Sequence, residues 1–252
     1  MVRKISVKVG DVFKNNVGEF VDVVCVKNAA DITIRYRDKF AHEAKVTMFQ
    51  LKNGNFKNPY TPSVRGVGFV GFGSYSPKTH TEIYNAWQGI IQRCFDDKLK
   101  ERYHKYKDVS LDNEWHNLQN FAKWYEEETK NRVDDEVWQV DKDFSRAKLY
   151  GPKTCVVVQK ILNFLIVSHD NKRGEYPIGV TYRQETGKYR SRCQVGSGVP
   201  ATVGEFETVE EAFQAYKVFK ENRIKTVIED YKEQLSERAL DILRNYRISE
   251  KD

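Results

Sequence analysis

The sequence predicts an α+β fold in which a small β domain precedes a helical region and a C-terminal unit of three strands and a helix. Residues before Gln50 alternate between apolar and polar side chains, which is typical of strands. From Thr81 onward apolar residues recur at three- and four-residue steps, which indicates amphipathic helices. Because 252 residues can bury one large core or two to three small ones, we expect several domains. The predicted boundaries are 1–70, 80–170 and 175–252.

The N-terminal pattern consists of three alternating segments, EFVDVVCV, DITIRYRD and EAKVTMFQL, separated by turn-prone residues. It fits a small antiparallel barrel or a curled sheet. The stretch from Lys52 to Thr79 is rich in Gly, Pro, Ser and Asn and predicts a linker. Its glycines at 66, 68 and 71 match a dinucleotide-binding spacing, but no helical pattern follows, so we interpret the match as chance.

Two helices with apolar faces are predicted in the central region. Thr81 is a candidate cap for the first helix. We expect the aromatic residues of both helices, Trp87 and Trp115 among them, to lie in the core rather than to stack on bases. The apolar positions are Ile83, Trp87, Ile90, Ile91 and Cys94 in the first helix, and Trp115, Leu118, Phe121, Ala122 and Trp124 in the second.

The composition makes nucleic acid a candidate partner, since the net charge is +6 and the pI is about 8.9. The chain has 36 acidic residues beside 42 basic ones, so the excess positive charge favours nucleic-acid binding only where it is concentrated on one surface. The four cysteines are widely spaced without a C-x-x-C pair, so we expect reduced thiols rather than zinc ligands or disulfides. No apolar run reaches membrane-spanning length, and we expect a soluble protein of the cytoplasm.

The order of motifs from Ile83 to Phe164, W…RCF, EW…F…W and VDKD…YGPKTC, resembles the phage HNH endonuclease family, particularly its homing-type members. The resemblance implies a ββα unit that holds a single divalent cation such as magnesium, and a protein of phage origin acting in the bacterial cytoplasm. The implied metal ligands are an Asp at the end of the first strand and an Asn or His on the helix. They correspond here to Asp141 and Asn163. Oxygen ligands suit magnesium.

The same resemblance implies an incomplete nuclease site. In the family a general-base histidine follows the metal-binding Asp, but this chain has Lys142 there. A lysine with an ordinary pKa of about 10.4 is almost wholly protonated at neutral pH and does not readily deprotonate water. We expect Lys142 to hold a phosphate instead, and Asp143 is a substitute base. Thr154 replaces the family's loop asparagine, which weakens loop hydrogen bonding.

Two alternatives stay open for the residues of this incomplete site. Asp141, Lys142 and Asp143 are either catalytic or merely a surface ion-pair cluster. The cation itself is either retained or lost together with the activity.

The segments IGVTYR, KYRSRCQV and GEFETVEEA, within Ile178 to Lys220, resemble the three-stranded-sheet-plus-helix domain of plant ethylene-response factors, the Apetala type. The residues themselves predict three strands and a helix capped by Thr208. The family lays its sheet in the major groove of double-stranded DNA. The DNA-binding residues that this resemblance implies are Tyr182, Arg183, Lys188, Arg190, Arg192 and Gln194.

Local charge and strand periodicity narrow this set. Four basic residues and one acidic residue lie between Tyr176 and Gly196, so the predicted face is positive. A period of two puts Tyr182 and Arg183 on opposite faces and Arg190 and Arg192 on one face. These two arginines are the best candidates for reading bases, because Arg can contact guanine with two hydrogen bonds. The alternative is that they are solvated charges.

The apolar stripe from Ile224 to Leu243 predicts that the helix continues through the tail and that another surface covers it. Packing on the preceding domain is one solution, and a homodimer through this helix is the other. Three functions compete: a sequence-specific DNA binder or transcriptional repressor that has lost cleavage, an active metal-dependent endonuclease, and a protein-interaction module that uses the N-terminal β domain.

Overall fold

The computed structural model describes residues 6–133, 136–142, 144, 147–166, 175–196 and 200–249. Helices and several separate sheets occur together, so the predicted α+β class is confirmed. The chain divides into two compact units, 1–74 and 75–252. The further division of the second unit near residue 170 stays a prediction. Within the described residues, no helix is both long and apolar enough to cross a membrane.

A four-stranded antiparallel sheet with strand order β1-β2-β3-β4 forms the N-terminal unit. Its strands are β1 (Val12–Lys14), β2 (Phe20–Asn28), β3 (Asp31–Tyr36) and β4 (Glu43–Val46). The predicted alternation buries one face of β2 and β3, with Val21 and Ile32 almost inaccessible to solvent. Among the described residues β1 and β4 are the sheet edges, so the barrel alternative is not formed. Strands of three and four residues leave little backbone for closure.

Helix α1 (Met48–Lys52) replaces the end of the third predicted strand. Thr47 ends the strand because its hydroxyl accepts a hydrogen bond from the Gln50 amide at 3.2 Å. The Gln50 side-chain oxygen in turn accepts from the Thr47 amide at 2.9 Å. This reciprocal capping box satisfies two amides that the first helical turn leaves unpaired.

The predicted linker is largely part of the N-terminal unit, which extends to Ser74. Phe56 and Val64 are buried, at 8% exposure each. Asn58 is also buried, and its side-chain amide donates to the Asp38 carboxylate at 2.6 Å. Turn-prone composition therefore marked an irregular segment that folds back onto the sheet through a long-range hydrogen bond.

The helical part of the second unit is built around two buried tryptophans, as predicted. Trp87 is 0% exposed and Trp115 1% exposed, and the Trp87 indole donates to the Trp115 carbonyl at 2.7 Å. The helices are α2 (Thr81–Phe95), α3 (Asp97–Arg102) and α4 (Leu118–Thr129), with a 3-10 turn at Asn113–His116 before α4. The prediction that Thr81 caps α2 is wrong. The N-cap is His80, and the Thr81 hydroxyl donates to the Pro77 carbonyl instead.

A ββα arrangement follows. Strand β6 (Trp138–Asp141) pairs antiparallel with β8 (Val156–Gln159), and α5 (Lys160–Ile166) begins where β8 ends. Strands β5 (Ser110–Leu111) and β7 (Leu149–Tyr150) form a short parallel pair. The three valines of β8 are wholly buried, because α4, α5 and α7 pack around it.

The C-terminal region contains the predicted sheet and helix. The antiparallel sheet has the order β11-β10-β9, and its strands are β9 (Val180–Arg183), β10 (Lys188–Cys193) and β11 (Ala201–Phe206). Helix α6 (Val209–Tyr231) packs against one face of all three strands. Thr208 caps α6 as predicted, because its hydroxyl accepts from the Glu211 amide.

The tail is not one continuous helix. Helix α6 ends at Tyr231, and α7 (Glu237–Asn245) starts afresh at Ser236, whose hydroxyl accepts from the Ala239 amide at 3.1 Å. The apolar stripe is buried within the chain, since α6 packs on α5 and α7 packs on β8. Because the stripe is covered within the chain, it no longer supports a homodimer. The homodimer stays a prediction.

Two glycines with similar backbone angles provide a test of the contact between α6 and the sheet. Gly179 has φ +80°, and a Cβ there would lie 2.2 Å from the Tyr216 ring. Gly187 has φ +69° in open space. We expect Gly187→Ala to lower the free energy of unfolding by about 1–2 kcal/mol through backbone strain alone. Gly179→Ala should cost about 2–5 kcal/mol, because overpacking adds to that strain.

Urea unfolding followed by circular dichroism measures both values. Equal losses in the two variants would contradict the close approach of Tyr216 to the backbone at Gly179.

Candidate functional site

The ββα unit brings the two predicted metal ligands to one face of the hairpin. Asp141 is the last residue of β6 and is only 7% exposed. Because side chains alternate along a strand, Gln139 points to the same face as Asp141. Asn163, the fourth residue of α5, donates from its side-chain amide to the Gln139 side-chain oxygen at 2.6 Å. Gln139 thus holds Asn163 over the face that Asp141 occupies.

The oxygen atoms at this face fit a hard cation in part. The side-chain oxygen of Asn163 is buried and has no hydrogen-bond partner among the described residues. With Asp141 it would be one of two protein ligands, and magnesium commonly takes few protein ligands and keeps several waters. The described residues contain no cluster of three or more His, Cys, Asp or Glu that could hold a metal ion. Asp143, the substitute base, lies outside the described residues.

Lys142 is buried rather than exposed to a phosphate. The residue is 8% exposed, and its ammonium nitrogen lies 5.5 Å from the centre of the Tyr150 ring. The Arg93 guanidinium lies 5.2 Å from the same ring. A cation over an aromatic face is attracted by the ring quadrupole. The alternative of a surface ion-pair cluster is therefore wrong for Asp141 and Lys142, since both are more than nine-tenths buried.

The loop that precedes β8 is well hydrogen-bonded despite the threonine in it. The Thr154 hydroxyl donates to the Leu149 carbonyl at 2.5 Å, and the Cys155 amide donates to the Gly151 carbonyl at 3.0 Å. Thr154 thus connects the two ends of this loop. All four cysteines are free, and burial raises the pKa of the Cys155 thiol to about 12, so this thiol is not a nucleophile.

The three-stranded sheet has one face covered by α6 and one outer face. Val180, Ser191 and Cys193 are buried, which identifies the face toward α6. Residues paired across an antiparallel sheet point to the same side. Arg190 pairs with Thr181 and alternates with Ser191, so it belongs to the outer face. Lys188, which pairs with Arg183, shares that face.

Acidic side chains balance the outer face. The Arg190 guanidinium bonds to the Glu205 carboxylate at 2.8 and 3.0 Å, because the β10–β11 register sets these residues opposite each other. The two remaining ion pairs are Lys188–Glu207 at 2.7 Å and Arg183–Glu185 at 3.1 Å. The face is thus less positive than the sequence predicted, since Glu205 in β11 and Glu207 just after it were not counted with the charges of β9 and β10.

Glu205 keeps its negative charge at neutral pH. The hydrogen bond from Arg190 is the main cause of a lowered pKa for the Glu205 carboxyl, and the nearby charges of Arg190 and Arg183 add to it. Any ligand of Arg190 must therefore compete with an ionised carboxylate.

The other predicted DNA-binding residues have different surroundings. Arg192 has a buried Nε without a hydrogen-bond partner in the described part of the chain. Arg192 and Gln194 line a cavity of about 1000 Å³ together with Lys220. Tyr182 pairs with Tyr189 across the strands, with ring centroids 5.2 Å apart, and so belongs to the face toward α6. As predicted, it lies opposite Arg183, and it does not belong to the basic outer face.

Comparison with known proteins adds no family to these observations. No protein-family model, no curated protein and no solved structure matches the chain. The resemblances to HNH endonucleases and to ethylene-response-factor domains therefore stay predictions from the sequence motifs.

Proposed function

We propose that this protein binds double-stranded DNA in a sequence-specific way through the outer face of its C-terminal sheet. It would act as a binder or transcriptional repressor derived from a phage HNH homing endonuclease. The observation that carries the proposal is the register of β9 and β10, which gathers Arg183, Lys188 and Arg190 on the face opposite α6. A sheet face of this kind fits the major groove, which is wide enough for β-strands.

The ion pairs of this face favour discrimination over general affinity. An exposed pair contributes about 0–1 kcal/mol, so a phosphate or a guanine edge can displace Glu205 from Arg190 at small cost. A ligand without a hydrogen-bond acceptor opposite Arg190 leaves the ion pair in place and faces the ionised Glu205, so it binds less well. Arg192 lines the cavity with Lys220 of α6 and has no ion-pair partner among the described residues, so it is a second candidate for reading a base, separate from the three residues that carry the proposal.

The nuclease function is proposed to be degenerate. Lys142 occupies the position of the family's general base, and its ammonium nitrogen lies 5.5 Å from the centre of the Tyr150 ring. Asp141 and Asn163 would hold a magnesium ion, which would stabilise charge on the phosphate of a cleaved strand. This pair of oxygens supports the second candidate function, an active endonuclease that uses another base.

DNA binding should depend on the two arginines in a sequence-dependent way. We expect Arg190→Ala or Arg192→Ala to weaken binding to the preferred duplex by about 1–3 kcal/mol and binding to unrelated duplex by much less. The preferred duplex is selected from random sequences, and affinity is measured by fluorescence anisotropy. Wild-type affinity should fall with salt with a logarithmic slope of about −4 to −8.

Lys225→Ala, on the exposed side of α6, is the matched control for this measurement. Equal losses on both duplexes would identify the arginines as phosphate contacts. A protein without duplex affinity would contradict the proposal and favour the interaction-module alternative.

Glu205 should act as a competitor for Arg190. We expect Glu205→Gln to strengthen binding to unrelated duplex by about fivefold, because it frees Arg190 and removes a negative charge that faces the phosphates. The control is Glu229→Gln, which removes an exposed acid of α6 that pairs with Lys232 at 3.1 Å, and it should change nothing. Weaker binding by the Glu205 variant would show that its carboxylate contacts the DNA favourably.

Cleavage should require a base that the wild type lacks. The wild-type protein should bind its site and cut it slowly or not at all with magnesium or manganese. Lys142→His would restore the family's base and should raise cleavage by about 10²–10⁴-fold. Asp141→Ala in that background should abolish the gain and leave duplex affinity nearly unchanged, since the proposed contacts lie on the C-terminal sheet.

Gel-based assays measure the cleavage. Thermal melting of every variant checks that it is folded, because residue 142 is buried and its substitution affects packing. Efficient cutting by the wild type that is lost in Asp141→Ala would establish the active endonuclease instead.

A further inference from the structure

The net charge of the protein lies entirely in its N-terminal unit. Residues 1–74 contain 12 lysines and arginines and 6 aspartates and glutamates. The whole chain has 42 and 36, so residues 75–252 contain 30 of each and are neutral. The basic pI is therefore a property of the small β unit, whereas the sheet proposed above to bind duplex DNA belongs to the neutral unit.

The same N-terminal unit carries a group of contacting aromatic rings, the aromatic cluster, at the end of its sheet. Phe40 stacks on Tyr60 with centroids 4.3 Å apart, and Phe72 lies 5.0 Å from His42. Phe72 is 71% exposed and Phe40 39% exposed, so the Phe72 ring in particular is accessible to a ligand. The members of the aromatic cluster are Phe40, His42, Tyr60, Phe69 and Phe72.

Hydrogen bonds fix the backbone that presents these rings. The Asp38 carboxylate accepts from the amides of Phe40 and Ala41 at 2.9 Å each. It also accepts from Asn58, which lies two residues before Tyr60 in the chain. The two segments that supply the stacked rings are thus joined through one carboxylate. Rings held in this way lose little freedom when a ligand stacks on them.

Basic side chains accompany the aromatic cluster. The Lys39 ammonium lies 5.1 Å from the centre of the Phe40 ring, and among the described residues no carboxylate forms an ion pair with it. Lys57 and Arg65 are exposed, and Arg65 occupies the tight turn just before Phe69. The Arg37 guanidinium pairs with the Asp22 carboxylate at 2.5 Å.

We infer that the aromatic cluster is a second nucleic-acid site, which binds single-stranded DNA or RNA by base stacking while Lys39 meets the phosphates. Exposed rings beside a positive charge are the combination that single-strand-binding surfaces use. Duplex bases are stacked on each other and cannot lie on these rings, so the cluster favours unpaired strands. The inference is independent of the function proposed for the C-terminal sheet.

A matched pair of double variants of the full chain tests the inference. Phe72→Ala/Lys39→Ala removes one exposed ring and one cation from the aromatic cluster. Phe49→Ala/Lys52→Ala removes the same groups from α1, where Phe49 is 74% exposed. Helix α1 lies toward the other end of β3, because the Met48 amide bonds to the Ala29 carbonyl in the β2–β3 turn. The two variants therefore have equal composition and charge.

Affinity for labelled oligo-dT and oligo-U of about 12 nucleotides is measured by fluorescence anisotropy at several salt concentrations. We expect the Phe72/Lys39 variant to bind about 10-fold or more weakly than the wild type, and its salt slope to be smaller by about 0.7. The Phe49/Lys52 variant leaves the aromatic cluster intact, so bases should still stack on it. Its affinity should fall only slightly, because one positive charge is lost. Arg190→Ala should leave single-strand affinity unchanged, which separates this site from the sheet.

Three results would overturn the inference: absence of binding to both oligonucleotides by the wild type, equal losses in the two double variants, or loss in Arg190→Ala alone. Comparison of the DNA and RNA arms identifies the preferred strand. Circular dichroism melting of both double variants should match the wild type, because all four side chains are exposed.

Discussion

The burial of strand β8 is the constraint on which residues 75–252 depend. Val156, Val157 and Val158 have no solvent exposure, so both faces of this strand are covered although its sheet has only two strands. Helices α4, α5 and α7 supply that cover. A short hairpin is marginal in water by itself, and it becomes stable when helices pack on it. Elements that are distant in sequence therefore meet around one strand.

That arrangement explains why the charged end of β6 is buried. Asp141 pairs with Val156 in the register of the hairpin, so its carboxylate lies close to the best-packed part of the unit. Lys142 follows directly and is covered together with Tyr150. A charge in such a place is costly unless other groups compensate for it. Two adjacent buried charged residues therefore mark a polar site inside the unit rather than ordinary surface.

Local patterns in the sequence were enough to predict the fold class, the buried tryptophans and the Thr208 cap. They failed where residues that are distant in sequence determine the local structure. The segment around Asn58 looked like a linker because its partner, Asp38, is twenty residues away. The start of α7 was missed although Ser236 and Glu237 form an ordinary helix-start pattern. A long apolar stripe across the boundary concealed that signal.

The candidate site shows the same limit. Periodicity placed Arg183 and Tyr182 on opposite faces, as the β9–β10 register does, because side-chain alternation is local. The pairing with Glu205 depends on the register of a third strand, which no local pattern fixes. The orientation of Asn163 by Gln139 likewise required the packing of α5 on β6.

The concentration of charge in residues 1–74 has a kinetic consequence. Outside the Debye length, about 10 Å at 0.1 M salt, an approaching polyanion responds to net charge rather than to individual side chains. The neutral unit exerts little such attraction, so long-range capture would be the task of the N-terminal unit alone. For the proposed binding to DNA, this division means that the N-terminal unit attracts the polymer while the charge-balanced sheet samples successive sequences without being trapped on each of them.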